Sequence, residues 1–99
     1  MGIFDKFKGK KSDECMEQGN VLFNLGRDEE SLVCYDKALE IDPNNVNAWN
    51  NKGDALFDLG RYEESLVCYD KALEIDPNNV DVWGSKGDAL GRLGRYEEN

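Results

Sequence analysis

Residues 60–79 read GRYEESLVCYDKALEIDPNN and residues 26–45 read GRDEESLVCYDKALEIDPNN, so that Tyr62 against Asp28 is the single difference between two copies set 34 residues apart. Outward from this pair the period holds. Residues 80–98, VDVWGSKGDALGRLGRYEE, echo residues 46–64, VNAWNNKGDALFDLGRYEE. A fixed period of this length marks stacked supersecondary units, none of which can bury its apolar face alone.

Within one unit the apolar positions recur at helical spacing. Leu66, Tyr69 and Leu73, with Ala72 and Ile75 one turn on, form a stripe that predicts an amphipathic helix. Isolated helices of about 14 residues are marginal in water. The stripe is therefore expected to pack on Trp49, Leu56 and Leu59, at about 1.5–3 kcal/mol per large side chain buried. The punctuation agrees. Gly26 can take the left-handed conformation that closes a helix, and Asp28, Glu29 and Glu30 fill the first turn of the next, at the positive end of its dipole. Pro43 has no amide to donate and pushes Asp42 out of helical geometry, while Asn44 and Asn45 offer side-chain oxygens to cap the helix that follows. Predicted first helices cover about 13–25, 46–59 and 80–93. Each of the first two is followed by a second helix, ending before Pro43 and over about 62–75. The fold class is all-α.

Trp49, Gly53, Gly60, Tyr62, Tyr69, Ala72 and Pro77 stand at the spacings of the tetratricopeptide repeat, and the chain resembles that family over residues 12–99. The middle copy departs from the pattern at Lys52, Leu56 and Ser65, where leucine, tyrosine and alanine are usual. The first copy has Cys15 in the tryptophan place and Asp28 in the tyrosine place. The resemblance implies an α–α superhelix of antiparallel helix pairs. It divides the chain into a basic leader (1–11), two repeats (12–45 and 46–79) and a half repeat (80–99) that is either an end cap or a truncation. It also implies that Gly53 makes room for the ring of Tyr69, and Gly19 for that of Tyr35, with Gly87 keeping the same notch in the third copy.

Composition narrows the function. A net charge of −9 with 33% charged residues argues against duplex nucleic acid as a direct partner. The charge is uneven: Lys6, Lys8, Lys10 and Lys11 against Asp5 give the leader +3, leaving −12 on the remainder. An acidic body favours basic or polar peptides. The three cysteines are an odd number, two of them one position duplicated, and read as reduced packing residues of a cytoplasmic protein. No apolar run approaches a membrane span, histidine is absent, and no Cys spacing suits a metal. The pairs Glu29-Glu30, Glu63-Glu64 and Glu97-Glu98 are copies of one helix start, and Asp42-Pro43-Asn44-Asn45 lacks the spacing, glycine and closing glutamate of a calcium loop. No catalytic constellation, cofactor motif or metal site is expected.

The leader, MGIFDKFKGKK, places Ile3, Phe4 and Phe7 on one face of any helix formed there. A weak membrane-surface foot is one reading, since each lysine near an anionic surface adds about 1 kcal/mol. The segment is short, Gly9 interrupts it and the body repels such a surface. A frayed leader, or a short helix covering the first repeat, is the plainer expectation.

By the resemblance, the concave groove is lined by the first helix of each repeat. That places Asn20, Phe23 and Asn24 on it, then Asn47, Asn50, Asn51, Asp54, Phe57 and Asp58, then Asp81 and Asp88. Asparagines cluster there, and Phe23 and Phe57 stand where a solvated helix would carry charge, although both can also pack between neighbouring helices. One subclass of the family grips a chaperone tail's carboxylate with basic and asparagine side chains. Asn20 and Asn51 match its asparagines, while Met16, Asp81 and Ser85 stand in its basic places. Like charge would repel an acidic tail from Asp54, Asp58 and Asp88. The expected function is a non-enzymatic interaction module that binds a basic or polar peptide. The alternative is a self-assembling unit, by end-to-end stacking or helix exchange, with monomer and homodimer both open.

Overall fold

The computed structural model describes residues 2–94, with side chains over 9–94. It holds five helices: α1 (Gly2–Asn24), α2 (Asp28–Ile41), α3 (Val46–Asp58), α4 (Tyr62–Ile75) and α5 (Val80–Arg92). No strand occurs among the described residues. Each helix packs chiefly on its neighbours in sequence, and α1 also touches α3 as α3 touches α5. The first helices of successive repeats thus stand side by side along one face of an all-α superhelix.

Turn chemistry sets this path. Gly26, Gly60 and Gly94 close α1, α3 and α5 with φ of 79°, 77° and 70°, and the amide of Arg27 reaches back to the Leu22 carbonyl at 2.8 Å, as Arg61 does to Leu56 at 2.9 Å. Between repeats, the Asn45 side chain accepts from the Ala48 amide and Asn79 from that of Val82, so each asparagine caps the helix it precedes. Asn45 does more than cap. Its Nδ2 donates to Ser12 Oγ at 2.9 Å and to Asp13 Oδ1 at 3.1 Å, while the buried Ser12 hydroxyl donates to the Ala38 carbonyl at 2.7 Å. One polar knot joins α1, the end of α2 and the start of α3.

The core is a run of small clusters. Leu66, Tyr69, Ala72 and Leu73 pack with Val82 and Ala89; Leu32, Tyr35, Ala55, Leu56 and Cys68 form a second group, and Ala38, Leu39 and Ala48 a third. Trp49 touches all three. Ile75, expected in the stripe, is 38% exposed as the last residue of α4. The tyrosine rings fill the glycine notches. A Cβ on Gly19 would lie 2.6 Å from Tyr35 Cε1, and one on Gly53 2.5 Å from Tyr69 Cε1. At Gly87 nothing among the described residues lies within 4 Å of that position.

α1 differs from expectation. It runs unbroken through Gly9 from Gly2, with no interruption between the leader and the first repeat, and its start lies well before the predicted residue 13. Lysines at 6, 8, 10 and 11 are good helix formers, and one glycine costs only about 1 kcal/mol in a helix that repeat packing already nucleates.

Candidate functional site

The residues facing along α1, α3 and α5 are organised by the tyrosines beneath them. Tyr35 Oη donates to Asn20 Oδ1 at 2.6 Å, and Asn51 Nδ2 donates to the same oxygen at 3.0 Å from the next repeat. One repeat on, Tyr69 Oη donates to Asp54 Oδ1, also at 2.6 Å, and Ser85 stands in the Asn51 place. Burial pushes both tyrosine hydroxyls well above their ordinary range, so they remain donors at neutral pH.

A small cleft of about 160 Å³ opens over the second of these junctions. Phe23 and Phe57 wall it, Tyr69 and Ser85 lie at its base, and Asp54, Asp58 and Asp88 line it. Burial raises the Asp54 carboxyl above the ordinary carboxylate range, against the Tyr69 hydrogen bond, with Asp58 and Asp88 adding to the rise. Asp58 is raised too, by burial and by the charge of Asp28. Among the described residues none of the three has a salt-bridge partner. A wider, open cleft of about 770 Å³ adjoins it along α5, lined by Phe57, Gly87, Asp88, Gly91 and Arg92. The Arg92 guanidinium lies 5.6 Å from the centre of the Phe57 ring, whose edge contact with Tyr62 has centroids 5.1 Å apart.

Of the residues expected on the groove, Phe23, Asp54, Phe57, Asp58 and Asp88 converge on one cleft. Phe23 and Phe57 serve twice, since both also pack against buried clusters. Asn20 and Asn51 line neither cleft, and Asn20 Oδ1 accepts from both Asn51 and Tyr35. Asn50 Oδ1 is buried with no hydrogen-bond partner among the described residues. Asn24, Asn47 and Asp81 are exposed and line neither cleft. The sequence places Tyr69 in the core and Ser85 where the chaperone-binding subclass carries a cation, and neither is among the residues expected to line the groove. The signal was present in the fixed interval from Asn20 to Tyr35, which recurs from Asp54 to Tyr69.

Two cations of the first helices, Lys52 and Lys86, are held by second helices and line neither cleft. Lys52 Nζ pairs with Asp36 Oδ1 at 2.7 Å and Lys86 Nζ with Asp70 Oδ1 at 2.8 Å, each ammonium lying over the indole of Trp49 or Trp83. This accounts for lysine where the repeat pattern has leucine: it ties each first helix to the second helix of the preceding repeat.

Sequence models of the tetratricopeptide repeat match residues 46–79 and 68–98, and a TPR repeat model matches residues 19–60. The chain belongs to the tetratricopeptide repeat family. About two and a half repeats are present. No curated protein matches it in sequence. Among solved structures it is similar to the first TPR of Spaghetti (RPAP3) bound to the HSP90 peptide SRMEEVD, at 26% identity and a TM-score of 0.88, over 91% of this chain and 71% of that one. The first TPR domain of human RPAP3 is 25% identical with a TM-score of 0.85, over 89% and 69%. The Arabidopsis OM64 TPR domain shares the fold at 24% identity and a TM-score of 0.87, over 92% and 75%.

Proposed function

We propose that this tetratricopeptide repeat domain is a non-enzymatic interaction module whose groove holds a peptide carrying lysine or arginine. One observation carries the reading: three carboxylates without ion-pair partners among the described residues, Asp54, Asp58 and Asp88, share a cleft with the Phe23 and Phe57 rings. A cationic side chain satisfies the carboxylates, and its methylene stem suits the aromatic walls. The bond between Arg92 and the Phe57 face, formed within the chain, is an example of the contact. Asn47, Asn50, Asn51 and the exposed Asn24 and Asp81 extend the polar rim along which the peptide backbone runs.

The similar Spaghetti domain holds SRMEEVD, an acidic peptide. In this chain Met16, Asp81 and Ser85 replace the cations such a peptide needs, so the same fold is set for the opposite charge. The three free cysteines accord with a cytoplasmic setting.

Amide chemical shifts followed during titration test this. A lysine- or arginine-bearing peptide is expected to perturb α3 and α5 around Asp54 and Asp88, with affinity falling as salt rises. Asp58→Asn with Asp88→Asn is expected to weaken it by about tenfold, the scale of one charge-assisted contact. Equal binding of SRMEEVD, or unchanged affinity in the double variant, overturns the proposal.

A further inference from the structure

Among the described residues no other element covers the outer face of α1. Ser12, Cys15, Gly19 and Leu22, spaced by threes and fours, form the stripe that turns toward the rest of the domain. Roughly 140° around the helix, at 100° per residue, a second series runs through positions 3, 7, 10, 14, 17 and 21, again in alternating fours and threes. Lys10, Glu14 and Glu17 in this series are exposed, Val21 is 58% exposed, and Leu25 in the turn that follows is 65% exposed. The series is apolar at both ends, charged in the middle, and basic before it is acidic.

We propose that α1 pairs with the α1 of a second copy, antiparallel, about a two-fold axis near Glu14. In that register positions 3 and 7, Ile3 and Phe7, lie opposite Leu25 and Val21 of the other chain. Lys10 and Lys11 lie opposite Gln18 and Glu17, and the two Glu14 residues sit at the axis between the lysine pairs. The central layers are then neutral, two lysines and two glutamates from each chain, and the pattern is self-complementary as a two-fold interface requires. A parallel pairing would set lysine against lysine and glutamate against glutamate.

The unbroken course of α1 makes the geometry available. The helix reaches ten residues beyond Ser12 toward its start, about 15 Å, whereas α2 continues only three residues past Ala38, about 4.5 Å. The leader therefore passes the end of α2. The same continuity disfavours an anionic membrane, because Glu14 and Glu17 share the face of positions 3 and 7 and would be pressed against like charge.

Sedimentation of the full chain from micromolar to millimolar protein tests the pairing. At low salt the mass is expected to climb from 11.2 kDa toward that of a dimer. Lys10→Glu with Lys11→Glu, and separately Glu14→Lys with Glu17→Lys, are each expected to weaken self-association by more than about tenfold, since each makes the seam one sign. An equimolar mixture of the two variants is expected to restore it. These positions are exposed, and circular dichroism verifies that helix content is kept. A full chain that stays monomeric, variants that associate as the parent does, or a mixture that fails to recover overturns the proposal. So does a monomer retained on phosphatidylserine vesicles, which would assign the face to lipid. Peptide binding at the groove is independent of all these outcomes.

Discussion

Gly53 and Gly87 occupy the same place in successive repeats, and the fold treats them oppositely. A methyl group on Gly53 would sit 2.5 Å from a ring carbon of Tyr69, which is 1% exposed and anchored by its hydroxyl to Asp54. Gly53→Ala is therefore expected to cost about 1–3 kcal/mol through overpacking, despite the better helix propensity of alanine. At Gly87 the same methyl meets nothing among the described residues, and Gly87→Ala is expected to add up to about 1 kcal/mol. Thermal melts of both variants check this, and a shift of the same sign in the two would contradict it. The notch at Gly53 follows from the repeat pattern. The opposite fate of Gly87 does not, because identical residues acquire different neighbours only when the array is assembled.

Asp54 gives a pH dependence at this same scale. Its carboxyl is held above the ordinary range in the folded chain, so between its unfolded and folded pKa values the native state binds more protons than the unfolded one. Its contribution to stability thus falls as pH rises through that window. Asp54→Asn retains an oxygen to accept from Tyr69, as Asn20 does for Tyr35, and removes the charge. The variant is expected to melt higher than the parent at neutral pH, with the difference shrinking on acidification toward pH values where both states are protonated. A difference that widens as pH falls would refute this.

At the scale of elements, the caps of α3 and α5 look alike in sequence and differ in what they hold. Asn79 bonds to the Val82 amide and to Asp76 of its own turn, whereas Asn45 bonds to the Ala48 amide and reaches across to Ser12 and Asp13 on α1. Loss of a cap costs about 1 kcal/mol, and leaving the buried Ser12 hydroxyl short of a partner adds to it. Asn45→Ala is expected to destabilise by about 2 kcal/mol, and Asn79→Ala by about half as much, in urea unfolding. Equal effects would show that the knot at Ser12 carries no energy. The caps, the positive-φ glycines and the stop before each proline were legible because each is a local rule written in two or three residues. The length of α1 was not, since Gly9 favours a break, yet one glycine costs little in a helix whose later turns are already nucleated by packing. Ile75 misled because periodicity assigns a face to a residue but does not say how deeply that residue is buried.

For the molecule as a whole, stability is a chain of neighbour contacts. Among the described residues α3 packs on α1, α2, α4 and α5, and α5 on α4 and α3. Repeat proteins of this kind open from their ends. Hydrogen exchange is accordingly expected to show the slowest amides in α3 and α4 and faster ones in α5. Uniform protection from end to end would mean that all five helices unfold as one unit. The repeat period made this architecture readable before any coordinates. It could not show which groove residues converge, because the cleft at Asp54 draws on three first helices and on Tyr69 of α4, whose hydroxyl reaches Asp54 from the layer behind.

Each indole is fastened to the proline carbonyl of the turn before it: Trp49 Nε1 donates to the Pro43 oxygen at 2.8 Å and Trp83 to that of Pro77 at 2.7 Å. The molecule thus carries its own pair of fluorophores, one stationed at each joint of the superhelix. Trp83, 51% exposed, should emit at longer wavelength than the more sheltered Trp49, so that replacing either with phenylalanine leaves a chain that reports optically on the bending of a single joint.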